Sequence, residues 1–243
     1  MSVLLLRLSG PMQSWGLNSH FTERDTAREP TKSGVIGLLC AALGKPRQER
    51  AGDGFPALAD LAAPRMGVRV DKEATVRRDF HTAGGGKWLD GDYGVAKASG
   101  AKGETVISNR HYLADAVFLV GLEGDGVLLA TLDHALAHPV WPLFLGRKSF
   151  VPGEPIWLKD GLLAAKSLEE SLRSFPCLLA GRALAKEPPP VRFVMECRAG
   201  EEGETRQDVP LSFQLGARSH GVRRVRECLK PWADVLKEAA PCT

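Results

Sequence analysis

From Gly34 to Leu43 the chain runs Gly-Val-Ile-Gly-Leu-Leu-Cys-Ala-Ala-Leu without a charge, and this stretch constrains the fold most. Ser33 is an N-cap residue type, Pro30 stops an earlier start, and Gly44 stands where helices end in a left-handed glycine. The pattern predicts a helix from about Ser33 or Gly34 to Leu43. Val35, Ile36, Leu38, Leu39, Cys40 and Leu43 make it apolar almost all round, so it should be buried between layers. Upstream, Val3 to Leu8 is a short apolar run stopped by Gly10-Pro11, the mark of a buried first strand. It has neither the basic lead-in nor the small-residue cleavage site of a signal peptide. Residues 11 to 32, between strand and helix, are polar, charged and turn-forming, which reads as a loop.

The 243 residues suffice for one large domain or two small ones with a real core. After the helix come a linker, a short helix around Pro56 to Leu61, and strands at Met66 to Val70 and Thr75 to Thr82. Between Ala83 and Ser108 the pattern breaks down: Gly84-Gly85-Gly86 opens a mix of glycine, lysine, aspartate and alanine. A structureless loop of this length inside a compact domain signals function or disorder. Tyr112 to Glu123 is apolar again, Gly124-Asp125-Gly126 is a turn, and a helix covers Leu128 to Ala137, ending before Pro139. Prolines punctuate the segment from Pro139 to Trp157. Ser167 and Glu170 form a capping box for a short helix that ends before Pro176. Ala185 to Pro190 reads as a linker, Val191 to Arg198 and Arg206 to Phe213 as strands, and Arg218 to Lys230 as a basic tail. Strands interleaved with helices, without a regular βαβ rhythm, predict an α+β fold.

Hydrophobic residues at 44% and charged residues at 25% are ordinary for a soluble globular chain. No apolar run reaches the length of a membrane span. Cys40, Cys177, Cys197, Cys228 and Cys242 are odd in number and contain no C-x-x-C pair, which fits free thiols in a reducing cytoplasm. Phosphate-loop, dinucleotide, zincin and nucleophile-elbow motifs are all missing from the sequence. His134 and His138 have a metal-compatible i, i+4 spacing, but no third ligand stands near, so surface or packing roles fit them better. The residues thus imply neither metal nor cofactor. His81 and His111 flank the long loop at the ends of two expected strands. Brought together, they would serve as acid and base for metal-independent RNA cleavage, the alternative activity.

The cations are more informative than the net charge of +3, which permits an anionic partner without requiring one. Arg24, Arg28 and Lys32 precede the buried helix, Arg77 and Arg78 precede the long loop, and Arg110 follows it. Arg147 and Lys148 sit in a Gly-Arg-Lys-Ser turn. Each group lies at the end of an expected element, where side chains can converge on one edge of a sheet. Guanidinium forks suit phosphate oxygens and stack on splayed bases. Trp15, Trp88 and Tyr112 supply stacking faces beside them. By composition alone, the same residues describe a solvated surface over core aromatics.

The order of local motifs changes that reading. LRLSGPMQSWG (Leu5 to Gly16), REPTKSGVIGLLCAALG (Arg28 to Gly44), RDFHT (Arg78 to Thr82), RHYLADAVFLVGL (Arg110 to Leu122) and PLFLGRKSFVP (Pro142 to Pro152) follow one another. In that order they resemble the CasD family, a RAMP-superfamily subunit of the type I-E CRISPR surveillance complex Cascade. The resemblance is concentrated in residues 1 to 157. It implies a ferredoxin-like, RRM-related fold for residues 1–243 as one RAMP-type domain, with an inserted thumb at 83–108. A β-rich C-terminal portion, 158–243, would complete it. It also implies a non-catalytic, cytoplasmic RNA-binding subunit that caps the 5′ handle of the crRNA, with no cofactor and no membrane. Partners would be the backbone, large and small Cascade subunits and, through them, target DNA in antiviral defence. In type I-C systems a related subunit cuts the precursor RNA, whereas in type I-E a separate ribonuclease does so. Within that frame Gln13, next to Trp15, is expected to read a base edge. Arg28, Lys32, Arg147 and Lys148 are expected to hold backbone phosphates, and the helix start at Ser33 another. Arg110 and Tyr112 would stack at the thumb base, and Arg77, Arg78, His81 and His111 complete the expected RNA-binding set.

Overall fold

The computed structural model describes residues 1–16, 22–50, 52–84, 87–88, 91–92, 105–179 and 190–236. In chain order the first elements are β1 (Ser2–Ser9), β2 (Met12–Gln13), β3 (Glu23–Arg24), α1 (Lys32–Leu43) and α2 (Leu58–Ala62). Next come β4 (Arg65–Lys72), β5 (Thr75–Ala83), β6 (Lys87–Trp88), β7 (Gly91–Asp92), β8 (Val106–Ala114), β9 (Val117–Gly124) and α3 (Gly126–Ala137). The last are β10 (Trp157–Ala164), α4 (Leu168–Ser174), β11 (Val191–Glu196), β12 (Glu204–Ser212), β13 (Ser219–Lys230) and α5 (Trp232–Leu236).

An antiparallel seven-stranded sheet, ordered β10-β1-β9-β4-β11-β13-β12, carries the fold. Its first four strands, with α1 after β1 and α3 after β9, make two interlocked βαβ units, which is the expected ferredoxin-like topology within an α+β fold. β1 lies between β9 and β10, so its alternating side chains enter two different cores. Leu4, Leu6 and Leu8 pack with α1 and α3, while Val3 and Leu5 pack with α4 and α5. Such a strand has no solvent face, and this is why its sequence is nearly continuous in apolar residues.

The charge-free run forms the body of α1, buried as its composition requires, but the helix starts earlier than Ser33, at Lys32. Thr31 is the N-cap, its hydroxyl accepting from the Gly34 N–H, and Ser33 lies half-buried in the first turn. At the other end Gly44 adopts φ 73° and returns its N–H to Ala41, as a C′ glycine does. The apolar run from Tyr112 to Glu123 is two strands, separated at Asp115, whose φ is 58°. The basic tail is the twelve-residue strand β13, and β10 follows the proline-rich segment. β11 pairs with β4, and β13 and β12 extend the same sheet beyond it.

Between β4 and β9 the chain leaves the sheet as a ribbon of β5 and β8, with β2 and β3 along the other side of β8. The insertion therefore begins at Thr75 and ends at Ala114, wider than the expected 83–108. Within that expected range, residues 85–86, 89–90 and 93–104 lie outside the described residues. Burial pushes the Cys40 thiol up to about 11, and Cys177 is raised for the same reason, consistent with unreactive core thiols. Cys197 and Cys228 are also free, and Cys242 lies outside the described residues.

Candidate RNA interface

Residues directly opposite in an antiparallel ladder share a face. One face of the β5–β8 ribbon therefore carries Arg77 opposite Tyr112, Asp79 opposite Arg110, and His81 opposite Ser108. The other face carries Val76 opposite Leu113, Arg78 opposite His111, and Phe80 opposite Asn109. β5 is exposed along nearly its whole length, so both of its faces meet solvent. Arg110 is steadied by donating from Nε to the Ser108 hydroxyl at 3.0 Å.

The Gly-Arg-Lys-Ser turn comes up against the first face. It closes through Leu145 N–H to Phe150 O and Phe150 N–H to Arg147 O, and the Leu145 carbonyl accepts from Ser14 N–H. Arg147 donates to the carbonyls of His111 at 2.8 Å and Arg24 at 3.2 Å. Its guanidinium lies 5.3 Å from the Phe150 ring centre, and Phe150 packs against Tyr112 with ring centres 5.9 Å apart. Burial lowers the Arg147 pKa first, then the like charges of Arg110 and Arg24, opposed by Asp79. Arg24, Arg110 and Arg147 thus form a crowded cationic cluster beside two aromatic rings, with one carboxylate among three guanidiniums. Lys148 is exposed on the same turn. Such a cluster is suited to phosphate oxygens, and the half-buried Tyr112 ring beside it, backed by the core residue Phe150, to an unstacked base.

Three expected RNA contacts are turned inward. Gln13 is fully buried, its Nε2 donating to the carbonyls of Leu8 and Ala116 and its Oε1 accepting from Trp15 Nε1. Trp15 is buried against Gly34, and its backbone N–H donates to the Thr26 hydroxyl. Lys32 is 2% exposed, with Nζ bound at 2.9 Å to both carboxylate oxygens of Glu196 and its backbone N–H donating to Asp208. In this structure they hold the loop against α1 and do not face solvent. The helix start expected to take a phosphate is occupied by Thr31 and Asp208. Arg28 is exposed but stands apart from the Arg147 cluster, its charge 3.7 Å from Glu73.

The two histidines of the cleavage alternative do not meet. His81 pairs with Ser108 and His111 with Arg78, three positions away along the ribbon, so they lie on opposite faces. The metal-compatible pair, His134 and His138, has ring centres 4.8 Å apart, and the described residues contain no group of three or more metal-ligating side chains. Sequence reading left out Phe150, which underlies Arg147, and Phe80, which is 63% exposed on the second face. Phe80 had a signal, an aromatic two residues after Arg78 in an alternating strand.

The sequence profile of the family described as CRISPR-associated protein (Cas5) matches residues 3–226. This chain belongs to the Cas5 family. CRISPR system Cascade subunit CasD of Escherichia coli (strain K12) is 33% identical to this Cas5 chain over 185 residues, 72% of it and 77% of CasD. A solved Cas protein superposes with a TM-score of 0.71 at 39% identity, covering 99% of this chain and 100% of the other. A chain from a solved CRISPR RNA-guided surveillance complex superposes with a TM-score of 0.72 at 34% identity, covering 94% and 90%. The Cas5 relationship therefore spans both the ferredoxin-like core and the C-terminal strands.

Proposed function

We propose that this Cas5 chain is the Cascade-type subunit that holds the 5′ handle of the crRNA without cutting it. The cationic cluster of Arg24, Arg110 and Arg147 beside Tyr112 carries the reading, because it offers phosphate contacts and one partly open ring together, with Phe150 buried behind as support. Arg77 and His81 extend that face, Arg78, His111 and Phe80 give the ribbon a second one, and Lys148 and Arg28 supply outlying charge. Gln13, Trp15, Lys32 and Ser33 we assign to shaping the loop and helix start beneath it. Residues 1–243 would act as one RAMP-type unit, with 83–108 as the thumb at the far end of the Thr75–Ala114 insertion and 158–243 completing it. The neighbours would be the backbone, large and small subunits of the complex, which reaches target DNA in the cytoplasm. Among the described residues no helix is long and apolar enough to cross a membrane. The opposed faces of His81 and His111 support binding over cleavage, since acid and base must reach one phosphodiester.

The test is anisotropy of labelled handle RNA on the full chain over a range of salt. Arg110→Ala should weaken binding and flatten the log K against log [salt] slope by about 0.7, one single-strand phosphate contact. An unchanged slope and affinity would remove the cluster from the site. Incubation with repeat-containing precursor RNA should give no cleavage; a specific cut lost in His81→Ala or His111→Ala would overturn the non-catalytic reading.

A further inference from the structure

β13 has two environments along its length. Val225 to Lys230 pair with β11, but Ser219 to Arg224 run on with β12 alone as a two-stranded arm. The inner face of this arm rests on α1 and α2 and buries Asp208, Pro210, Arg223 and Val225. Every cation on that side is neutralised: Arg223 by Asp208 and Glu196, Arg206 by Glu29, and Arg192 by Glu29 and Glu73. The outer face is different. Thr205, Gln207, Val222 and Arg224 are exposed there, Arg226 continues the row where β13 meets β11, and neither Arg224 nor Arg226 has an ion-pair partner among the described residues. The neighbouring carboxylates Glu204 and Glu227 reach the other way, toward Arg206 and Arg192.

We infer that this outer face binds the phosphate backbone of a nucleic-acid duplex, at a site separate from the β5–β8 ribbon. Arg224 and Arg226 alternate on one strand and so project on the same side, about 6.6 Å apart along it. The Thr205 hydroxyl lies directly across from Arg224 as a further donor. The five outward residues include no Phe, Tyr or Trp, so the stacking platform that holds single strands is missing from this face, and duplex is the form held by phosphate contacts alone. Binding there is independent of base sequence, because phosphate contacts carry no sequence information directly.

The probe is a fluorescein-labelled 30-base-pair duplex of random sequence, titrated with the full chain while salt is varied. The Arg224→Gln, Arg226→Gln double variant should bind it about tenfold more weakly, with the salt slope reduced by about 1.8 for two lost contacts. Its melting temperature and its affinity for handle RNA should stay at the parent values, and Arg110→Ala should leave duplex binding intact. Absent duplex binding by the parent chain, or equal affinity and slope in the double variant, overturns the inference. So does a parallel loss of handle RNA, which would merge the two sites. Displacement of the duplex by polyglutamate at matched charge would instead mark the face as a surface for an acidic protein, and would also overturn it.

Discussion

At the residue scale, the position of Arg147 depends on a glycine beside it. Gly146 has φ 96°, and a Cβ there would lie 1.8 Å from the Ser14 carbonyl oxygen. Gly52 is left-handed too, at φ 73°, but a Cβ would meet nothing within 4 Å. Gly52→Ala should therefore cost about 1 kcal/mol from backbone conformation alone. Gly146→Ala must also push the turn off Ser14, and should cost about 1–3 kcal/mol and weaken handle-RNA binding by displacing Arg147. Urea melts and anisotropy on both variants separate the two effects; equal RNA affinity in both would show that the turn does not set the site. Arg110, Tyr112 and Arg147 were expected at element ends; the structure brings them near one another, but Arg110 and Tyr112 lie inside β8 and only Arg147 stands in a turn. Gln13 and Lys32 were misread for a physical reason. Polarity reveals that a side chain needs partners, not whether they are water or protein, and the partner of Lys32 lies at Glu196, 164 positions away.

At the element scale, α1 was readable almost to the residue, since a ten-residue charge-free run ended by glycine admits few alternatives. Its start was not, because Thr31 and Ser33 are both capping types. What decides between them is distant: Asp208 on β12 accepts the Lys32 N–H, while Arg223 on β13 holds that carboxylate. Glu29 adds a second tie, clamped between Arg192 and Arg206. Burial tends to raise the Glu29 and Asp208 carboxyls, but their arginines override it and hold both below the ordinary values of 4.5 and 3.8. A carboxyl with a lowered folded pKa stabilises fully above its unfolded pKa and loses that contribution as pH falls through the folded one. Stability should thus be flat from neutral pH to about 5 and decline below the ordinary carboxylate range. Glu29→Ala leaves two guanidiniums without their shared anion and should cost about 3–5 kcal/mol at neutral pH, with a shallower acid limb. Denaturant melts between pH 7 and pH 3 measure both; a parental acid limb in the variant would exclude Glu29 as a source.

At the scale of the whole molecule, β1, β4 and β9 showed in the sequence because they are buried on both faces, whereas the largely exposed β10 did not, and the ferredoxin-like arrangement was implied by the family resemblance. The C-terminal half was harder to read. β13 alternates buried and charged positions, and β12 shifts register twice against it, so a strand there looks like a basic tail. The ribbon was harder still, since a strand exposed on both faces has no apolar period.

The strand order also bears on how the chain is made. β1 cannot pair until β9 and β10 have been synthesised, as Ser2 meets Gly124 and Ala164. β4 waits longer, because Val70 meets Arg192, and until then it is an unprotected sheet edge on the nascent chain. Contacts so distant in sequence make for slow folding, with that edge exposed to other chains meanwhile. A chain truncated after Leu179 should aggregate and leave the β4 amides open to hydrogen exchange, whereas the full chain protects them; equal protection in both would show that β11 is not what seals the edge. The last strands translated would then act as the seal on an edge laid down more than a hundred residues earlier, which ties the release of a soluble subunit to completion of its C-terminal half.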